Sequence, residues 1–107
     1  MPASIRTTCH DGTLRIELAG PLDYRLASGL FSRLLASRCN ARELILDLTA
    51  VDAFRDSGLA ALRLLRHRAR QAGKQLTLIG DRSGQGAGSL APALYRHERL
   101  HLRLVLL

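Results

Sequence analysis

The sequence predicts one α/β domain with a mixed, mostly parallel sheet of four to five strands and about three helices packed mainly on one face. Three observations carry this prediction. Apolar residues recur every three or four positions along residues 59–72, as in a helix with one buried face. Short apolar runs at residues 44–48 and 75–79 flank that helix. A strand, a helix and a strand in about forty residues indicate a right-handed βαβ crossover with parallel strands.

The residues before this crossover predict a hairpin. Residues 4–9 form a weak strand, and the Asp-Gly pair in residues 10–12 is a hairpin signal. Residues 13–19 alternate between apolar and charged side chains, which indicates a half-buried strand antiparallel to the first. Gly20 and Pro21 interrupt the alternation, so we expect the second strand to end there.

A first helix is predicted over residues 22–39. Asp23 is placed to cap its N-terminus, and Asn40 is placed to cap its C-terminus. The apolar residues expected to face the sheet are Leu26, Leu30, Phe31 and Leu34.

The last part of the chain predicts a loop, a short helix and a final strand. Residues 80–89 are rich in glycine and polar residues, and their spacing fits no phosphate-binding motif. Residues 90–97 form the short helix, and the alternation of residues 100–106 indicates a strand at the sheet edge. Sheet surface left open at that edge would favour a partner protein or a homodimer.

The start of the second helix, after a turn at residues 49–55, carries the strongest chemical signal. Asp56 or Ser57 can act as its N-cap, and Gly58 would let a partner approach the backbone closely. A helix N-terminus favours anions, so a phosphate on Ser57 would lie in a favourable field. The simpler interpretation is a cap and turn alone, because such tripeptides commonly begin helices.

These features together resemble STAS domains, the family of bacterial anti-sigma-factor antagonists and of the cytoplasmic tails of sulfate transporters. The matching order is an apolar strand at residues 44–48, a loop, the sequence Asp-Ser-Gly-Leu at residues 56–59, a helix and a second apolar strand. Residues 19–24 are similar to the family's Gly-x-Leu-Asp turn before its first helix. The resemblance covers nearly the whole chain and implies the fold described above.

The motif at the helix start differs from the family pattern by one residue. The family has two hydroxyl or small residues between its Asp and its Gly, and this chain has one. Without a gap, the family's Asp falls on Arg55, its phosphorylated serine on Asp56 and its second serine on Ser57. Asp56 would then carry one permanent negative charge, where a phosphoserine carries about −1.5 to −2. With one loop residue deleted, Ser57 matches the phosphorylated serine, and Ser57 is the only hydroxyl residue in the motif.

The resemblance implies a non-catalytic regulatory module that binds an anti-sigma factor or a serine switch kinase, with Ser57 as the candidate phosphoacceptor. The residues expected to form the switch loop and partner-binding surface are Asp23, Asp52, Arg55, Asp56, Ser57, Gly58, Leu59, Arg63 and Arg66. Two alternatives stay open. One is an accessory subunit that binds the ATPase of a lipid-type ABC transporter, and the other is a small-ligand or nucleotide sensor.

The formal net charge of +7 comes from 16 basic and 9 acidic residues among 107. The basic residues concentrate in two groups, which are Arg63, Arg66, His67 and Arg70 on the second helix and Arg96, His97, Arg99, His101 and Arg103 near the C-terminus. The simpler explanation is a solvated helix face. Nucleic acid is not the expected partner, because no reader motif is present and two Tyr and two Phe offer few stacking residues. An acidic protein surface is the more natural partner.

Two cysteines and scattered histidines give little support for catalysis. Cys9 and Cys39 lack metal-type spacing, and we expect two reduced, partly buried thiols in the cytoplasm. No apolar stretch is long enough for a signal peptide or a membrane span. We expect no enzyme activity, no cofactor and no metal. Asp47, Asp52 and Asp56 could together hold a divalent cation, but such acids more often cap turns.

Overall fold

The described residues form an open sheet of five strands with two helices against one face. The computed structural model describes residues 3–36, 39–80 and 102–106. Its elements in chain order are β1 (Ser4–His10), β2 (Thr13–Leu22), α1 (Tyr24–Ala36), β3 (Glu43–Phe54), α2 (Asp56–Gln71), β4 (Gln75–Gly80) and β5 (Leu102–Leu106). The third predicted helix, at residues 90–97, lies outside the described residues.

The strands follow the order β1-β2-β3-β4-β5 across the sheet. β1 pairs with β2 antiparallel, and every other neighbouring pair is parallel. This confirms the predicted mixed, mostly parallel α/β sheet. Alternate side chains of β2 and β3 and most of those of β4 are buried. These three strands and both helices contribute to one hydrophobic core. Its members include Ile16, Leu30, Leu46, Leu62 and Leu78.

β2 runs three residues further than predicted. Gly20 and Pro21 do not end the strand, because residues 20–22 still pair with β3. The register shifts once between Glu17 and Ala19 and again between Gly20 and Pro21. Pairing of β1 with β2 ends at Ala19, so beyond that point β2 has a single neighbour among the described strands. A proline lacks the backbone N–H that a second neighbour would need, and such a position tolerates it. Gly20 has a φ of 89°, a conformation that favours glycine at a strand irregularity.

β3 is also longer than predicted. Most of the expected turn at residues 49–55 is strand, since β3 ends at Phe54. The added residues lie beside the end of β2, where Ala50 pairs with Ala19 and Phe54 pairs with Leu22. Pairing with a distant segment therefore extends the strand through residues whose local pattern indicates a turn.

α1 has the predicted N-cap, but both of its ends differ from the predicted range of 22–39. It begins at Tyr24, because Leu22 pairs with β3 as the last residue of β2. The Oδ1 atom of Asp23 accepts hydrogen bonds from the backbone N–H groups of Arg25 and Leu26, at 3.0 and 3.1 Å, which confirms the N-cap. Asn40 is not the C-cap, because neither Cys39 nor Asn40 is helical.

α2 ends as the sequence predicts. Gly73 has a φ of 69°, and the N–H of Lys74 donates to the carbonyl of Ala69 at 2.8 Å. A glycine in the left-handed region just past a helix is the usual way to stop it.

The two cysteines form a disulfide, which contradicts the predicted reduced thiols. Cys9 on β1 is bonded to Cys39 in the segment between α1 and β3, with their Cα atoms 6.1 Å apart. The cysteines are 30 residues apart in the chain, and only the folded sheet brings them together. Their spacing therefore could not reveal the pair, and they no longer indicate a reducing compartment.

Candidate partner-binding site

The two motifs singled out in the sequence meet at the carboxyl ends of β2 and β3. The backbone N–H of Arg55 donates to the carbonyl oxygen of Leu22 at 3.0 Å. A Cβ atom added to Gly58 would overlap that same oxygen and lie 2.8 Å from the carbonyl carbon. No real side chain tolerates such distances, so a glycine is needed for the first turn of α2 to lie against the end of β2. The prediction that Gly58 lets a partner approach the backbone is wrong, because Gly58 is buried and Leu22 of the same chain fills that space. The segment after Leu22 and the start of α2 therefore form one continuous surface.

α2 begins without a side-chain cap. Its N-cap residue is Arg55, in extended conformation, and no side-chain hydrogen bond caps the helix. The predicted N-caps, Asp56 and Ser57, are instead in the first helical turn, and both are exposed. The N–H of Leu59 makes the first bond of the helix, to the carbonyl of Arg55 at 3.0 Å. The N–H groups before Leu59 point toward the end of the helix, as in any α-helix, and their partial positive charge favours an anion there.

The start of α1 adds an aromatic residue that is not among the predicted site residues. Tyr24 follows the capping Asp23, and 64% of its surface is exposed. The guanidinium of Arg25 lies 5.8 Å from the centre of its ring, and Arg25 Nε donates to the Tyr24 hydroxyl at 3.2 Å. Tyrosine is among the residue types enriched where proteins contact one another. Its position directly after a capping residue was the available signal.

The remaining predicted site residues occupy different environments. Leu59 is half-buried and packs against the core, so only part of it can meet a partner. Asp52 is exposed on β3 shortly before the helix. Arg63 is exposed and Arg66 is half-buried on α2, about two and three helical turns beyond its start. The structure thus groups Asp23 with residues 55–59 and places the two arginines progressively further away.

The three acids do not form a metal site. Asp47 Oδ1 accepts hydrogen bonds from the N–H of Thr49 at 3.0 Å and from its hydroxyl at 2.6 Å. Asp47 Oδ2 lies 2.8 Å from Nη2 of Arg15. Within the part of the chain that the structure describes, no three His, Cys, Asp or Glu residues are grouped to hold a metal ion. The acid inside the strand is therefore a structural residue, bonded to Thr49 and Arg15.

The two predicted basic groups differ in how much of each the structure describes. His67 and Arg70 are exposed on α2, as predicted for its outer face. The C-terminal group falls on residues 96–101, which lie outside the described residues, and on Arg103 in β5. Among the described helices, none combines the length and apolar character needed to cross a bilayer.

Two solved structures show a similar fold. The anti-sigma factor antagonist SpoIIAA in its unphosphorylated form matches with a TM-score of 0.64 and 13% identity, over 95% of this chain and 87% of that one. A DUF3478-family protein with a SpoIIAA-like fold, from Shewanella loihica PV-4, matches with a TM-score of 0.63 and 14% identity, over 99% and 84% of the two chains. At these identities the likeness establishes the fold.

The sequence itself matches a family model. Comparison with curated proteins finds no significant match. The model of the STAS domain matches residues 4–83, which is more than half of the chain and includes both motifs at the carboxyl ends of β2 and β3. The fold, the two motifs and this match together show that the chain belongs to the STAS domain family.

Proposed function

We propose that this protein is a regulatory protein-interaction module of the anti-sigma-factor-antagonist type, which binds an anti-sigma factor or a serine switch kinase and has no catalytic activity of its own. The observation that supports it most is the contact of Gly58 with the Leu22 carbonyl. This contact joins the two family motifs into one exposed surface at the carboxyl ends of two parallel strands, where open α/β sheets usually carry their sites.

The residues of this surface have different tasks in the proposal. Asp23 caps α1 with its carboxylate and so holds the first turn of that helix in place. Tyr24 and Arg25, which are exposed on that turn, can contact the partner directly. Arg55, Asp56 and Ser57 form the adjoining part of the surface, and Asp52, Arg63 and Arg66 extend it.

Ser57 is the proposed phosphoacceptor. Its side chain is exposed in the first turn of α2, so a kinase could reach the hydroxyl without unfolding the helix. The phosphate would add about 1.5 to 2 negative charges near the positive end of the helix. Asp56 places one negative charge beside Ser57, and repulsion between that charge and the phosphate would make phosphorylation less favourable. If Asp56 instead replaces the phosphorylated serine, the partner meets a permanent negative charge and the surface has no switch.

The test is affinity purification of the tagged protein from its native cell, followed by intact-mass measurement. Wild type is compared with Ser57→Ala and with Ser28→Ala, an exposed serine on α1 that lies outside the proposed surface. We expect wild type and Ser28→Ala to recover a serine kinase of the anti-sigma type and to carry one phosphate. Ser57→Ala should recover the kinase and lack the phosphate.

Other results would change the proposal in defined ways. Recovery of the kinase with an unmodified wild-type chain would remove Ser57 as the phosphoacceptor and leave Asp56 as a fixed charge. Recovery of a transporter ATPase in place of the kinase would overturn the proposed partner and support the accessory-subunit alternative.

A further inference from the structure

A cavity lies at the opposite end of the sheet from the partner-binding surface. Its volume is about 210 Å³, and it is lined by the C-terminal halves of α1 and α2 and by the first residues of β2 and β3. Its wall is mostly apolar, with Leu14, Phe31, Leu34, Leu44 and Leu65 as the large contributors. An apolar cavity of about 150 Å³ is known to take up benzene, so this one has room for a single ring and a small substituent.

Two positively charged side chains, those of Arg68 and Lys74, lie at the edge of this apolar cavity. The guanidinium carbon of Arg68 lies 5.5 Å from the centre of the Phe31 ring. Lys74 Nζ donates a hydrogen bond to the carbonyl oxygen of Ala41 at 2.5 Å, which leaves two further N–H donors on the ammonium group. Neither cation forms an ion pair with a carboxylate among the described residues. The cavity thus combines an apolar interior with two basic side chains at its edge.

We propose that this cavity binds a small aromatic monocarboxylate, with the ring against Phe31 and the leucines and the carboxylate at Arg68 and Lys74. The apolar wall favours the ring, since burial removes its surface from water. The guanidinium and the ammonium group favour the carboxylate, since charge-assisted hydrogen bonds are the strong ones. The volume is below the range of about 300 to 1,000 Å³ usual for drug-sized ligands, so a nucleotide is too large for it.

This site is independent of the proposed partner. The partner-binding surface involves the first turn of α2, and the cavity involves its last turns, at Arg68, Ala69 and Ala72. Failure of either proposal would therefore leave the other unaffected.

The test is isothermal titration calorimetry of the intact, disulfide-bonded protein with phenylacetate, at concentrations into the millimolar range. Phenylethanol serves as the neutral analogue of similar size. We expect phenylacetate to bind at least about tenfold more tightly than phenylethanol, because only the acid can pair with the two cations. Arg68→Gln should weaken phenylacetate binding about tenfold, while Arg33→Gln, an exposed arginine outside the cavity, should leave it unchanged.

A second pair of variants tests the place of binding. Ala72 is exposed and lines the cavity, so Ala72→Phe should obstruct the opening and abolish binding. Ala60→Phe adds the same ring at an exposed position of α2 outside the cavity and should bind as wild type does. Absence of phenylacetate binding by wild type, equal affinity for phenylethanol, or unchanged affinity in Arg68→Gln would each overturn the proposal. So would binding that persists in a folded Ala72→Phe variant.

Discussion

Gly58 is the residue on which the geometry of the candidate surface depends. Its Cα lies so close to the backbone of Leu22 that an added Cβ would overlap the carbonyl oxygen and lie 2.8 Å from the carbonyl carbon. Backbone atoms cannot turn away as the end of a side chain can. A side chain at this position would therefore displace the start of α2 from the end of β2.

We predict that Gly58→Ala lowers the free energy of unfolding by about 1 to 3 kcal/mol, the usual cost of overpacking. Gly29→Ala is the matched control, because its Cβ would meet only the terminal Cδ1 atom of Ile5, at 2.9 Å. That side-chain atom can move, and alanine favours the helix by about 0.5 to 1 kcal/mol. Urea denaturation of both variants measures the difference. Equal stability of Gly58→Ala and wild type would show that α2 does not pack against β2 in this way.

Tyr24 provides the sharpest residue-scale test of the proposed surface. Because the residue is 64% exposed, we predict that Tyr24→Ala changes the stability by less than about 0.5 kcal/mol. It should nevertheless reduce the amount of partner recovered in affinity purification, since exposed aromatic residues often dominate protein contacts. Tyr24→Phe keeps the ring and should recover the partner as wild type does. Full recovery with Tyr24→Ala would place the contact elsewhere.

Asp47 has a structural role, although the sequence suggested that it could help to hold a divalent cation. The position stands out in the sequence as an acid within an apolar strand. In the folded protein its carboxylate has 14% of its side-chain surface exposed and is bonded to Thr49 and Arg15. Arg15 lies on β2, so Asp47 links neighbouring strands. An acidic residue inside an apolar strand can therefore indicate a structural bond between strands as well as a functional site.

At the scale of elements, periodicity predicted which segments are strands and helices, and pairing between segments decided where they end. The starts of β2 and β3, together with α2 and β4, follow their apolar patterns closely. The extensions of β2 and β3 through residues 20–22 and 49–54 arise because each supplies the hydrogen-bonding partner of the other. Local residue preferences at Gly20 and Pro21 oppose a strand, and the tertiary pairing overrides them.

The disulfide joins two elements and gives an element-scale prediction. It closes a loop of about 30 residues between β1 and the segment before β3. Loop-closure entropy predicts that reduction lowers the free energy of unfolding by about 3 to 4 kcal/mol. Urea denaturation with and without a dithiol reductant measures this difference.

The control for that experiment is the double variant Cys9→Ser, Cys39→Ser, whose stability should be the same with and without the reductant. Alkylation before reduction provides a direct check of the bond. Two reactive thiols in the untreated, denatured protein would show that the bond is absent and that Cys9 and Cys39 are free thiols.

At the scale of the whole molecule, the sheet is unevenly protected. β3 lies in the interior of the sheet between β2 and β4, and its alternate residues are buried. β1 lies at an edge of the described sheet, and of its residues only Ile5 is even partly buried. An edge strand that buries little apolar surface needs less free energy to open locally than a central strand does.

We therefore predict that the amides of β1 exchange with deuterium at least about tenfold faster than those of β3, a difference of about 1.4 kcal/mol in opening free energy. Hydrogen-exchange mass spectrometry of peptides from the two strands measures the rates. Measurement after reduction is the control, and it should speed exchange in β1 because the bond to Cys39 no longer holds this edge. Equal protection of the two strands in the oxidised protein would contradict the expected order.

The sequence by itself determined the α/β class, the central crossover, the cap at Asp23, the helix stop at Gly73 and the family. These features depend on residues close together in the chain, where periodicity, capping and turn chemistry act. Only the tertiary structure decided the ends of β2 and β3, the bond between Cys9 and Cys39, the contact of Gly58 with Leu22 and the cavity beside Arg68. Each of these joins residues far apart in the chain, and their distances are set by how the helices pack on the sheet, which no local pattern records.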